Sequence, residues 1–243
     1  MKTAGSTFKL RIAEFTLQRL NVPNVRWLVL IADLRASRAI PARKRMDVDR
    51  ALAAASAAVV RNSPRSIRLR PQILKGDELQ VVLAPDAPAL LFALELRARL
   101  RVLSKGAADL RVGIGSGAID RLSPKGPFSS DGRAFHLARA AIERSEAGGG
   151  ARRFAWLTGR ESVDAVIDPV LGLVDAVAAR WTVAQWEAVI GRLEGRSLDA
   201  IAQAHDVSFQ SVSKRLIAAS WKEVEAVLLT LQRLNATDST PGR

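Results

Sequence analysis

Trp27-Leu28-Val29-Leu30-Ile31-Ala32-Asp33-Leu34 is a continuous apolar run that reaches a carboxylate and is followed by Arg35 and Arg38. A run of that length, rich in β-branched and aromatic residues, reads as a central strand buried on both faces. A strand of this kind seldom ends on an acid without a partner, because an unpaired buried charge is costly. Two readings of Asp33 stay open. Either a bound cation answers its charge, or Asp33 caps the next helix or pairs with Arg35 or Arg38.

Working outward, residues 1–24 form an N-terminal arm that can be drawn as a helix or, over Thr7 to Ile12, as a strand; Pro23 ends it. Arg43 to Val60 is an alanine-rich helix. Ser66 to Ile73 and Leu79 to Leu83 read as two strands of a hairpin with Lys75-Gly76-Asp77-Glu78 at its tip, and Pro71 marks the first of them as an edge strand. Pro88 opens a helix through Leu103. Leu110 to Gly115 is a strand, Ser123 to Asp131 a loop, Gly132 to Ala147 a helix, and Arg153 to Leu157 a short strand. This order predicts an α/β sandwich with a mixed sheet over residues 25–160. From Glu161 only helices follow. A connecting helix over 161–180 is expected to be interrupted by Pro169 and Gly172, and Thr182 with Gln185 reads as a capping box that starts the next. Residues 236–243 read as a frayed tail.

The chain has 243 residues and no cysteine, which excludes disulfides, thiolate catalysis and zinc–thiolate sites. Its longest apolar run falls far short of the roughly 20 residues of a membrane helix. Charged residues among the first twenty leave no signal-peptide core. The expectation is a soluble, cytoplasmic protein without a membrane partner. The net charge of +13 is unevenly spread: residues 34–70 hold ten Lys/Arg and two acids, whereas 181–235 hold six of each. A basic surface in the N-terminal half suits phosphates of a nucleotide or nucleic acid, or simply solvates helix faces.

Asp33 at a strand end and Asp77-Glu78 at a hairpin tip form the chemically informative constellation. Carboxylates brought together repel unless a cation sits between them. Oxygen-only ligation suits Mg²⁺ or Mn²⁺, which keep waters and lean on substrate phosphates. Lys75 and the neighbouring arginines would then neutralise those phosphates. Gly-Asp-Glu is also an ordinary hairpin turn.

Ile-Ala-Asp-Leu at 31–34, Gly-Asp-Glu at 76–78 and Leu-Arg-Val-Gly-Ile-Gly-Ser-Gly at 110–117 resemble the signature strands of class III nucleotide cyclases, and more distantly those of diguanylate cyclases. The chain resembles the SatD family more closely. Ile-Ala-Asp-x-x-x-Ser-Arg, Gly-Asp-Glu-x-Gln, Arg-x-Gly-Ile-Gly-x-Gly and Asp-Gly-x-Ala-Phe-x-x-Ala-Arg stand at 31–38, 76–80, 111–117 and 131–139. The resemblance implies a ferredoxin-like or cyclase-like sandwich with a mixed sheet, followed by an all-α helix-turn-helix domain over 181–235. It implies metal ligation by Asp33 and Asp77, with Asp33, Asp77 and Glu78 as the catalytic acids of any enzyme. It further implies a nucleoside triphosphate as ligand or substrate, contacted by Arg38, Lys75, His136 and Arg139. There are departures. Cyclases carry Asn and Arg four apart on the helix after the glycine-rich strand; here those positions are His136 and Ala140, with Arg139 one residue early, a rotation of roughly 100°. The cyclase pair that selects the base has no evident counterpart, Lys75 being two residues out of place.

Ser197 to Ala204 and Ser208 to Ala219 read as two helices joined by a tight turn at His205-Asp206-Val207, the spacing of a DNA-binding helix-turn-helix. Ser208, Gln210, Ser211, Lys214 and Arg215 are the candidate DNA contacts, reaching base edges or phosphates. A helical hairpin used for dimerisation is the other reading. Trp221, Val224, Val227, Leu228 and Leu231 read as core or as a dimer interface on a following long helix. Three functions remain from sequence: a nucleotide-responsive DNA-binding regulator acting as a homodimer, a nucleotidyl cyclase or oligonucleotide synthase, and an interaction module with a decayed site. Glycines 113, 115 and 117 are expected to let a ligand or another backbone approach the strand closely.

Overall fold

The computed structural model describes residues 26–35, 40–74, 77–147 and 152–237. The N-terminal arm, Arg38, Lys75 and the last six residues lie outside the described residues. The apolar run at 27–34 is strand β1 (Trp27–Leu34), and it occupies the middle of a five-stranded sheet. The sheet also holds β2 (Ile67–Leu74), β3 (Glu78–Leu83), β4 (Leu110–Gly117) and β5 (Phe154–Leu157), in the order β2-β3-β1-β4-β5. β1 is antiparallel to both neighbours, β2 is antiparallel to β3, and β4 and β5 are parallel. Helices α1 (Ala42–Asn62) and α2 (Ala89–Leu103) complete a ferredoxin-like β-α-β-β-α-β unit, to which α3 (Arg133–Ala147) and β5 are added. β2 is an edge strand, and its register slips between Leu69 and Gln72, around Pro71.

Strand geometry splits the apolar run between two faces. Leu28, Leu30, Ala32 and Leu34 belong to the main core beneath α1 and α2, with Val48, Leu52, Leu90 and Leu94. Val29 and Ile31 belong to a smaller core with Ala134, Phe135, Ala138 and Ile142 of α3. What approaches the glycines is backbone: α3 lies directly on β4. A Cβ at Gly115 would stand 2.1 Å from the Ala134 carbonyl oxygen, and one at Gly113 would stand 2.5 Å from that of Ala138.

After β5 come α4 (Glu161–Ala178), α5 (Val183–Leu193), α6 (Leu198–Ala204), α7 (Phe209–Ala218) and α8 (Trp221–Thr237). The expected interruption of the connecting helix does not occur, for α4 runs through both Pro169 and Gly172. Proline in a helix costs about 3 kcal/mol. Ile167, Leu171, Val174 and Ala178 are all buried, and each such side chain returns about 1–3 kcal/mol. Gly172 makes room for Arg152, whose guanidinium donates to the Asp168 carbonyl at 3.0 Å and pairs with the Asp168 carboxylate.

The Thr182–Gln185 capping box is present. Trp181, Trp186 and Val189, with Trp221, Val224, Leu228 and Leu231 of α8, are buried in the same cluster as the sheet. A separate small core of Ala188, Ile201, Ala202 and Val212 joins α5, α6 and α7. Asp206 takes the left-handed conformation at the turn (φ 50°), and Ser220 does so between α7 and α8 (φ 51°). α8 reaches Thr237, two residues into the expected tail. Among the described residues no helix is long and apolar enough to cross a membrane.

Candidate functional site

Antiparallel register brings the acids together. Asp33 stands opposite Glu78 on β3 and opposite Arg111 on β4. By alternation it shares its face with Val29 and Ile31, the side that α3 covers. Three charged residues therefore cross the centre of the sheet in one row, with Cα atoms about 5 Å apart. Asp77 immediately precedes β3, and its carbonyl accepts from the Leu34 amide at 3.0 Å, which ties the hairpin tip to the end of β1.

The outer members of the row are paired. Glu78 accepts a two-pronged contact from Arg139, Nη1 to Oε2 at 2.8 Å and Nη2 to Oε1 at 2.7 Å, and a third bond from Gln80 Nε2 at 2.8 Å. The Arg139 hydrogen bonds hold the Glu78 carboxyl below its ordinary range, against the opposing effect of burial. Arg111 pairs with Glu146 at the end of α3. Asp77 lies 3.8 Å from Arg45, a residue also engaged with Asp49.

Asp33 differs from its neighbours. Among the described residues none donates a hydrogen bond or forms an ion pair to its carboxylate. It does not cap α1, whose first residue follows Pro41 with no side-chain cap, and no ion pair joins it to Arg35 among the described residues. Burial, and then the charge of Asp77, push its carboxyl up to about 6. A half-buried acid next to a second acid fits a hard divalent cation, whose positive charge would relieve both penalties. Among the described residues no three His, Asp or Glu side chains cluster as a ready metal cage. An Mg²⁺ or Mn²⁺ held here would take Asp33 and Asp77 and complete its shell with water and phosphate oxygens.

The other expected site residues divide. Arg139 does turn toward the acid row, despite standing one position early on the helix. His136 is exposed, and its Nε2 lies 3.3 Å from Asp131 in the preceding loop, with no contact to the row. Sequence reasoning did not find Arg111 or Arg45. Both follow from strand register and helix packing, which one sequence does not display.

In the C-terminal part, the Ser208 hydroxyl accepts from the Ser211 amide at 3.1 Å and so serves as the N-cap of α7. Gln210 and Lys214 are exposed, as is Phe209, whereas Ser211 and Arg215 are half-buried. Arg215 lies 3.9 Å from Glu187 of α5, and His205 lies 3.6 Å from the same carboxylate.

The sequence profile of the SatD family matches residues 27–227. A search of curated proteins finds no match. Among solved structures, a bacterial light-regulated adenylyl cyclase is similar at a TM-score of 0.41 and 10% identity, over 65% of this chain and 81% of that one. The guanylyl cyclase Cya2 is similar at a TM-score of 0.38 and 15% identity, over 52% of this chain and 79% of that one.

Proposed function

Because the chain belongs to the SatD family, matched over residues 27–227, we propose that it binds a nucleotide through divalent cations at Asp33 and Asp77 and binds DNA through α7, as a dimeric regulator. One observation carries the first half: Asp33, at the centre of a charged row, has no partner among the described residues, and its carboxyl is pushed up to about 6. Bound Mg²⁺ or Mn²⁺ would supply a positive centre for triphosphate oxygens.

The residues of the chain have separable tasks. Asp33 and Asp77 hold the cation. Arg139 and Gln80 fix Glu78, so that the carboxylate beside Asp33 keeps one position. Arg111 stays on the far side, restrained by Glu146, and limits the net negative charge of the row. Arg139 is engaged by Glu78 in a two-pronged contact, which favours binding over turnover: an arginine already spent on a carboxylate is not free for charge developing on a phosphorus centre. For the second half of the proposal, exposed Gln210 and Lys214 stand four apart on α7, in its first and second turns. This places an amide and an ammonium on one helical face, suited to a base edge and a phosphate. Ser208 contributes as the cap that orients that face.

The test measures binding of each nucleoside triphosphate with Mn²⁺ to wild type and Asp33→Ala, together with DNA retardation at low salt. Metal-dependent binding lost in Asp33→Ala, with DNA retarded by wild type and released by Lys214→Ala, is the expected result. Release of pyrophosphate by wild type alone would replace the regulator with a nucleotidyl cyclase or synthase. Failure to retard any DNA would remove the second half of the proposal.

A further inference from the structure

A cavity of about 550 Å³ opens on the other side of β1, beneath α1 and α2 and beside the end of α4. Its floor is charge-compensated. Arg97, 2% exposed, bonds Asp109 through Nε and Nη2 at 2.8 and 3.1 Å and reaches Asp175 at 3.3 Å. Arg153 Nε donates to the same Asp109 at 2.9 Å. Two arginines thus meet two aspartates.

The rim is not compensated. Arg35, Lys44 and Arg101 line the cavity, and no carboxylate among the described residues pairs with any of them. Arg101 is also held in place, since its Nη1 donates to the Gly106 carbonyl at 2.8 Å and, more weakly, to that of Ala108 at 3.4 Å. The first turn of α1 adds to the imbalance. It carries Arg43 and Lys44 and no acid, while Arg45 beside them is engaged with Asp49; the positive end of a helix favours acids and disfavours cations. Three cations without a carboxylate partner among the described residues repel each other around one concave space, and an anion of two or more charges would relieve that repulsion. Apolar Val48 and Ile40 on one wall leave room for a carbon skeleton beside the charges.

We infer that this cavity is a second ligand site, which takes a compact diphosphate-bearing small molecule without a divalent cation. It lies apart from the acid row, which faces α3. The Arg35 amide bonds the Asp109 carbonyl at 2.9 Å, so the floor of the cavity is tied to the residue that follows β1, and Lys44, Val48, Arg97 and Arg101 place it on the α1 and α2 side of the sheet. Its walls come from the α/β sandwich and from α4, the helix that leads to the C-terminal part. A ligand there would touch both the sandwich and the end of α4.

The test uses pyrophosphate, in chelator and without divalent ions, by calorimetric titration. Wild type is expected to bind saturably. The double variant Arg35→Gln/Lys44→Gln is expected to bind at least about tenfold more weakly, as loss of charge-assisted contacts requires. Asp33→Asn is expected to bind like wild type. Arg35 and Lys44 are both exposed, so the double variant keeps its fold, and its unchanged melting temperature without ligand verifies this. No saturable binding, or equal binding by the double variant, would overturn the inference. Binding that vanished in Asp33→Asn would also overturn it, by assigning the anion to the acid row. Among supporting results, a nucleoside diphosphate binding more tightly than pyrophosphate marks a nucleotide as the ligand, and equal affinity marks the diphosphate group alone. Because no metal is present, failure here leaves the metal-dependent reading untouched.

Discussion

Asp33 is held at a cost that no partner among the described residues offsets. Its carboxyl titrates near 6 rather than at the ordinary 3.8, so between those values the folded state holds the proton more tightly than the unfolded chain. The contribution of this group to stability is full below about pH 4 and is lost as pH rises through 6. Asparagine, neutral at every pH, escapes that loss. Asp33→Asn is therefore expected to be more stable than wild type at pH 7.5 by about 1 kcal/mol, discounted for a half-exposed group, and no more stable at pH 4. Urea midpoints at the two pH values, in chelator, measure it. A variant less stable at pH 7.5 would show that Asp33 has a favourable partner in the metal-free fold. Adding Mn²⁺ is expected to raise the wild-type midpoint at pH 7.5 and to leave that of the variant in place, because a cation rewards only the ionised carboxylate.

Elements were legible from the sequence wherever one physical signal dominated. The apolar run of β1, the proline-marked edge strand and the Thr182 capping box each carry their own cause within a few residues. Relations between elements were not legible. The Gly113, Gly115 and Gly117 alternation announced a close approach, but only the packing shows that the visitor is α3. Gly115→Ala would place a Cβ 2.1 Å from the Ala134 carbonyl oxygen and 2.3 Å from the Ala138 amide nitrogen, both backbone atoms of the helix. The helix must then lift from β4, at an expected cost of about 3 kcal/mol, read as a drop in the denaturant midpoint. The lifted helix carries Arg139, so the contact with Glu78 loosens as well. Arg97 escaped notice for the opposite reason: a charged residue inside a helix reads as surface, yet this one is buried between two aspartates. Ser208 belongs at this scale too. Its hydroxyl is committed to the Ser211 amide, so Ser208→Ala is expected to lose about 1 kcal/mol. Ser208→Asp, which can cap equally well, is expected to keep stability in the same denaturation measurement.

On the scale of the molecule, the composition changes near Glu161 but the main core continues across it. The sequence shows a shift from alternating strands and helices to helices alone, and such a shift is the usual mark of a boundary. It cannot show that Trp181, Trp186 and Trp221 point back into the cluster beneath the sheet. Trp186 is the joint. It is 1% exposed, its ring centroid lies 4.5 Å from that of Trp181, and the Arg97 guanidinium stands 5.3 Å from its ring. The same Arg97 carries the Asp109 and Asp175 contacts that floor the cationic cavity. Removing that ring should therefore loosen both halves together. Trp186→Ala is expected to cost about 4 kcal/mol, which for a chain of this size lowers the melting temperature by about 10 °C. Calorimetry is expected to show one transition in wild type and one, shifted, in the variant. If the variant instead melted in two steps, with one at the wild-type temperature, the α/β sandwich would be standing without its C-terminal helices. A signal bound at one end would then need some route to the other than this shared core. A single shifted transition means that the sandwich and the helices that carry Gln210 and Lys214 unfold as one unit, so a ligand held by the sandwich or by the cavity beneath it protects those helices from unfolding as well.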